Sequence, residues 1–399
     1  MKKKPLASVA SIIGIDATNL NSGGGRTHFL ELLIHLKPEA FDISRVVVWG
    51  ARDTLDALPE ASWLLKAYNP LLERGILYRA YWQLFRLSAA ARQEGCTLLL
   101  IPGGVYAGTF RPVVTICQNL LPFDEKELSR YGFSLYLLRL KILRYVFGYA
   151  FRVSSRVVFL SRFALEMVSQ KLPGMMIKHR VIPHGIGASF FVEPRPQKSI
   201  DRYSPEDPFR MVYVSTVNLY KHPWHLVEAV YRVRAQHGWP ITLDLVGDAV
   251  VPAIDRLREA ISRFDPGGAF VRYHGPVDHA GLPAFYQQAD MAVFASSCEN
   301  QPLVLLEKMA SGLPIACSDY GAMTEILGDD GVYFDPENVD SLVHALTILI
   351  QDPALRDSNA AKNHARAKAY DWARTAQDTF SLLSSVMRES NDAVGSHTR

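Results

Sequence analysis

The sequence predicts an α/β protein built from two doubly wound parallel sheets. Three observations predict it. Short apolar runs of strand length alternate with helix-like segments through the first half of the chain, and the same alternation repeats in the second half. Between the halves, residues 193–208 hold Pro194, Pro196, Pro205 and Pro208 among many charges, which suits an interdomain connection. The length, 399 residues, fits two or three domains at about 150 residues each.

The first half opens at MKKKPLASVASIIGI. Its apolar part is short and leads into a motif rather than a cleavage site, so it reads as a first strand behind a basic tail and not as a signal peptide. Strands are expected at residues 11–17, 45–49, 97–101, 113–117 and 156–160. Asn21-Ser22-Gly23-Gly24-Gly25 reads as a loop, and 26–36 as a helix carrying Phe29, Leu32, Leu33 and Leu36 on one face. Glycines at such a place let backbone approach a ligand at a helix N-terminus. A dinucleotide fingerprint would need its third glycine where His28 stands, so that match is weak. Residues 161–172 form another helix, with Ser161 as its N-cap.

In the second half, strands are expected at 211–215, 241–246, 270–274, 291–295 and 332–334, with helices at 223–234, 254–264, 281–288, 302–310 and 339–351. A last helix covers 370–387. The domain boundaries that follow are 1–192, a linker at 193–208, 209–369, a helix at 370–388, and a disordered tail at 389–399.

The stretch ADMAVFASSCENQPLVLLEKMASGLPI, residues 289–315, carries the most chemistry. Met291 to Ala295 suits a buried strand, a polar turn follows, and Pro302 stands where a first helical residue needs no N–H. Gly312 and Pro314 stop the helix. Leu303, Val304, Leu305, Leu306, Met309 and Ala310 leave it no wide polar face, so it should be mostly buried. Glu307 shares an apolar stripe with Leu303 and needs a partner, since an unpaired buried carboxylate costs roughly several kcal/mol. The partner is either a core Arg or Lys, or a ligand bearing hydroxyls such as a ribose. Glu299 lies in the turn at the helix mouth, where the N–H groups of Asn300, Gln301 and Leu303 and the positive end of the helix dipole suit a phosphate.

Glu299 and Glu307 in the order E-x7-E, then MASGLPI and Gly321-Ala322-Met323-Thr324-Glu325, resemble the donor site of the retaining glycosyltransferases of family 4. That family has the GT-B fold, two Rossmann-like domains facing a central cleft, with a final helix crossing back to the first domain. Val181-Ile182-Pro183-His184-Gly185-Ile186 resembles the segment that closes its first domain. Val214 to His222 resembles its G-R-L-x3-K-G segment, with Lys221 on the lysine that neutralises the donor pyrophosphate and Thr216 where an arginine is usual. After Glu299 the family often has Gly-Phe-Gly; here Asn300-Gln301-Pro302 stands. Where it often has a histidine after the fourth strand, Gln118 and Asn119 stand.

The resemblance implies sugar transfer from a UDP- or GDP-linked donor to a glycan or lipid-linked glycan, with retention, as in surface polysaccharide or lipopolysaccharide synthesis. Glu299 and Lys221 would be catalytic. Glu307, Gly23, Gly24, Gly25, Asn300, Gln301, Pro302, Leu303 and Thr216 would bind the donor, and Gln118, Asn119 and Asp124 would meet the acceptor. Arg26 could supply the charge that Thr216 lacks. No metal or other cofactor is implied. The rivals are a nucleotide-sugar epimerase or hydrolase on the same fold, and a non-catalytic nucleotide- or glycan-binding protein. His28 and His184 read as structural residues.

Bulk properties bound the partners. A net charge of +3 and an apolar fraction of 48% argue for large cores and against nucleic acid. The four cysteines, Cys96, Cys117, Cys298 and Cys317, lack metal-ligand spacing and read as reduced and buried, which fits a cytoplasmic protein. No apolar run reaches the ~18 residues of a membrane span. Residues 128–165 hold no Asp or Glu but seven Arg and Lys interleaved with aromatics. Such a stretch either seats the protein on the anionic inner face of a membrane or is a packing helix with a solvated basic face.

Overall fold

The computed structural model describes residues 11–21, 23–174 and 178–397, with side chains to residue 392. The expected basic tail, Ser22 of the glycine loop and the last two residues lie outside these. The chain divides into two compact units. One runs to Gly185 and takes up the chain again from Trp372; the other is Ile186–Asp371.

The first unit holds strands β1 (Ser11–Asp16), β2 (Ile43–Gly50), β3 (Leu64–Tyr68), β4 (Leu98–Ile101), β5 (Val113–Cys117), β6 (Arg156–Phe159) and β7 (His179–Val181). They form one parallel sheet in the order β3-β2-β1-β4-β5-β6-β7. β4 and β5 are buried along their whole length, as strands covered by helices on both faces must be. The sequence does not announce β3 or β7. Both are edge strands, half-exposed and interrupted by Lys66 or Arg180, so neither shows an apolar run.

Helix α1 (Gly23–Ile34) starts three residues earlier than expected, so the three glycines form its first turn rather than a loop. Its face of Phe29, Leu32 and Leu33 packs with Ile13, Ile15 and Val46 of the sheet. Helix α2 (Leu135–Val153) follows β5, with Ser134 Oγ accepting the N–H of Leu137 as its N-cap.

The second unit holds β8 (Phe209–Val214), β9 (Ile241–Val246), β10 (Val271–Tyr273), β11 (Met291–Phe294), β12 (Ile315–Ser318) and β13 (Val332–Phe334). They also form one parallel sheet, in the order β10-β9-β8-β11-β12-β13. Both sheets thus reverse their strand order once, between β1 and β4 and between β8 and β11. In doubly wound folds ligands bind at the carboxyl ends of the strands beside that reversal. Helices α3 (Pro223–His237), α4 (Leu282–Gln288) and α5 (Leu303–Ala310) follow β8, β10 and β11. Segment 193–208 is fastened within this unit. The Arg195 guanidinium donates to the carbonyl oxygens of Gln287, at 3.0 Å, and Ala289, and Arg356 donates to that of Lys198.

Helix α6 (Trp372–His397) belongs to the first unit, as the GT-B resemblance implies for the last helix. Ala376, Phe380, Leu383, Val386 and Met387 enter the core formed by α1 and the sheet. It continues through His397, where a disordered tail is expected from residue 389. Glu389 is paired with Arg156 at 2.8 Å, and the residues beyond it contain no proline to break the turn.

Candidate active site

In the second unit, two loops meet at the reversal point. The loop after β8 is laid along the end of β9 by Ser215 N–H to Val246 O, 2.9 Å, and Val217 N–H to Asp248 O, 2.7 Å. Gly247, at φ +143°, allows this approach, because a Cβ there would stand 2.2 Å from the Ser215 carbonyl oxygen. The loop after β11 is then joined to it by Ser297 N–H to Tyr220 O, 2.8 Å, and by His222 Nε2 to Ser297 Oγ, 2.8 Å. His222 takes a left-handed conformation, φ 47°, as it opens α3.

These contacts bring Lys221 and Glu299 together as an ion pair, across 78 residues of sequence. Their side chains are only 12% and 13% exposed, so Lys221 is not the solvated surface lysine that its type would suggest. Thr216 is exposed on the same loop, and Asn300 and Gln301 are buried in the second one. Pro302 is the N-cap of α5 rather than its first residue, and no side chain caps the helix there. The first-turn N–H groups at Leu303 and Val304 therefore have no intrahelical acceptor.

Glu307 is 4% exposed, as its place on the apolar stripe predicts. Its partner is neither Arg nor Lys. Oε1 lies 2.7 Å from His279 Nε2, and Oε2 accepts the Tyr286 hydroxyl at 3.4 Å. Burial and the Glu307 charge push the Tyr286 phenol well up, so it remains a donor. His279 is half-exposed, so this pair can open toward solvent. Neither His279 nor Tyr286 is legible in the sequence as a site residue, because each comes from a segment distant in the chain from α5.

Lys308, next to Glu307, is also missing from the sequence expectations. It is fully buried. Nζ donates to the Val214 carbonyl oxygen at 3.1 Å and lies over the rings of Phe294 and Tyr213. Burial first, then the Lys221 charge, pulls its ammonium down to about 7.

In the first unit, the glycines of α1 and the end of β5 come together. A Cβ on Gly25 would stand 2.3 Å from Gln118 Oε1, so a larger residue there would push the end of the Gln118 side chain aside. Gln118 Nε2 is buried and has no hydrogen-bond partner among the described residues. Gly23, at φ +71°, has open space around it. Arg26 donates to the Asp53 carbonyl oxygen at 3.0 Å. Asn119 and Asp124 are turned to local work: Asn119 Oδ1 accepts the Leu121 N–H, and the buried Asp124 carboxylate accepts the Glu127 N–H as a helix cap.

The fold is of the GT-B class, with two Rossmann-like parallel-sheet domains. Sucrose-phosphate synthase from Thermosynechococcus elongatus matches 95% of this chain and 100% of its own at a TM-score of 0.74 and 17% identity. HepE of Anabaena, solved in complex with UDP and glucose, matches 94% and 100% at 0.68 and 20% identity. Residues 208–352 match the sequence model of the family described as glycosyl transferases group 1. O-antigen chain mannosyltransferase B of Escherichia coli is 32% identical over 111 residues, 28% of this chain and 29% of that protein. Glycogen synthase of Mycobacterium tuberculosis (strain ATCC 25618 / H37Rv) is 30% identical over 186 residues, 45% of this chain and 44% of that protein. The chain thus spans less than half the length of these curated relatives.

Proposed function

We propose that this protein is a retaining glycosyltransferase that moves a sugar from a UDP- or GDP-linked donor to a glycan, lipid-linked and held at the inner face of a membrane. One observation carries the reading: Lys221 and Glu299 meet, sheltered from solvent, at the reversal point of the second sheet. The group 1 match spans this same region.

The chemistry follows from where charge grows. The bond between the anomeric carbon and the leaving phosphate oxygen breaks, and a bond to the acceptor oxygen forms on the same face. The acceptor proton passes to a phosphate oxygen of the departing nucleoside diphosphate, so no side-chain base is used. Lys221 and the uncapped first turn of α5 stabilise the charge on that leaving group, and no metal is invoked. The donor exchanges partners with the protein. Its phosphate takes Lys221 from Glu299, which turns to the sugar hydroxyls, and its ribose hydroxyls replace His279 at Glu307. Together these contacts fix the anomeric centre. Within the first unit, Gln118 beside the glycines of α1, Gly23, Gly24 and Gly25, serves the acceptor. The buried, unpartnered Gln118 Nε2 supports that role.

The membrane part rests on α2. Leu135, Leu138, Ile142, Tyr145 and Tyr149 form an exposed apolar stripe at helical spacing, beside Phe133. Arg139, Lys141, Arg144 and Arg152 flank it, with no carboxylate on the helix. The outer face is therefore apolar and cationic together, unlike the solvated basic face of an ordinary packing helix. Among the described residues, no helix is long and apolar enough to cross a membrane.

Glu307→Ala should lower transfer from UDP- and GDP-sugars by roughly 100-fold or more, while circular dichroism stays that of the wild type. Turnover near wild type in the folded variant sinks the assignment. Donor incubated without acceptor should hardly turn over; rapid turnover there favours an epimerase or hydrolase.

A further inference from the structure

Lys308 is a costly residue for its position. Its ammonium is fully enclosed, with one oxygen acceptor for three N–H donors and aromatic faces for the rest. A Met or Leu would fill the same space without that cost. Its surroundings tie it to Lys221. Both ammonium groups lie over the Phe294 ring, at 4.8 Å for Lys308 and 5.5 Å for Lys221. The Tyr213 ring lies under Lys308, and the Tyr213 hydroxyl donates to the Lys221 carbonyl oxygen at 2.5 Å. Two cations therefore share one aromatic floor, one opening on the loops and one sealed behind it.

We propose that Lys308 is a buried positioning residue that takes a proton from solvent when the diphosphate of a donor or nucleoside diphosphate docks on Lys221. This rests on the donor-site reading above. Lys308 does not touch the diphosphate. It acts through Lys221, whose positive charge opposes protonation of Lys308 until an anion offsets it. Proton capture then adds a second positive charge behind the phosphates, where the low dielectric makes it count.

The groups that face Lys308 leave the signal readable. Glu299 and Glu307 approach it from the β11 loop and from α5, Cys317 from β12, and Tyr213 from β8. Burial pushes the Cys317 thiol and the Tyr213 phenol far above neutrality, so neither titrates near pH 8. At that pH Lys308, at about 7, is mostly neutral in the free protein, so uptake on binding is visible.

Calorimetric titration with UDP and with GDP at pH 8, in two buffers of different ionisation enthalpy, counts the protons. The wild type should take up roughly half a proton per ligand, and its affinity should weaken about tenfold between pH 7 and pH 9. Lys308→Met should bind without uptake, with a flat profile over that range. Wild-type binding with equal heats in both buffers overturns the inference and leaves the donor site standing, and needs no variant. Equal uptake in wild type and Lys308→Met also overturns it. If neither ligand binds the wild type, the donor-site reading itself fails and this inference falls with it.

Discussion

His28 and His184 show how one contact between neutral groups sets a pH limit. Their Nδ1 atoms lie 2.7 Å apart, so one ring donates to the other, and both rings pack near Trp372. The bond needs at least one imidazole without a proton on Nδ1. Burial holds His28 down at about 3, and burial and the His28 charge hold His184 well below its usual range. The unfolded chain binds protons at these rings below about pH 6.5, and the folded chain does not. Stability from this source is therefore complete above pH 6.5 and lost as pH falls. His28 alone should cost roughly 2 kcal/mol at pH 5. Proton NMR should find both imidazoles neutral from pH 8 to pH 5 in the folded protein, and urea unfolding should show stability falling over the same range. A ring titrating near 6.5 in the native state excludes the account. Residue type alone marked each of them as structural; only the fold reveals that the two meet.

At the scale of elements, the exposed stripe of α2 is the feature with the clearest consequence. Its inner face, Leu140, Phe147, Ala150 and Phe151, already supplies the packing that the first unit needs. The outer apolar residues are therefore surplus to folding. On an anionic bilayer they would bury while the flanking Arg and Lys meet headgroups, each adding about 1 kcal/mol. The protein should co-sediment with phosphatidylglycerol vesicles at low salt, and Ile142→Glu with Tyr145→Glu should weaken this about tenfold or more. Equal recovery with neutral vesicles, or no effect of the paired substitution, counts against a membrane face. A similar contrast accounts for which strands of the first unit the sequence announces, whereas in the second unit it announces the edge strands β10 and β13 and misses the short buried strand β12, which follows directly on the helix stop at Gly312 and Pro314. Central strands such as β4 and β5 are all apolar and stand out. Edge strands β3 and β7 are stabilised by pairing along one side, and that pairing leaves no pattern in the residues themselves.

For the whole molecule, the unit boundaries matter more than the chain order. α6 closes the core of the first unit although the entire second unit precedes it in sequence. Phe380, Leu383, Val386 and Met387 contribute roughly 1.5–3 kcal/mol each, together of the same order as the total stability of a domain. A chain ended at Asp371 should therefore lose the first unit. Limited proteolysis should digest residues up to Gly185 quickly while Ile186–Asp371 resists, and equal protection of both units would contradict this.

The sequence by itself determined the two-sheet architecture and the burial of Glu307. These follow from local patterns: runs of apolar residues, helix stops, and an acid on an apolar stripe. The tertiary structure alone decided the partners. Glu307 meets His279 and Tyr286, Glu299 meets Lys221, and Lys308 shares a ring with that lysine. Each of these contacts joins segments that follow different strands of one parallel sheet. Neighbouring strands in such a sheet are connected through whole crossover helices, so their loops meet in space with no trace in sequence spacing.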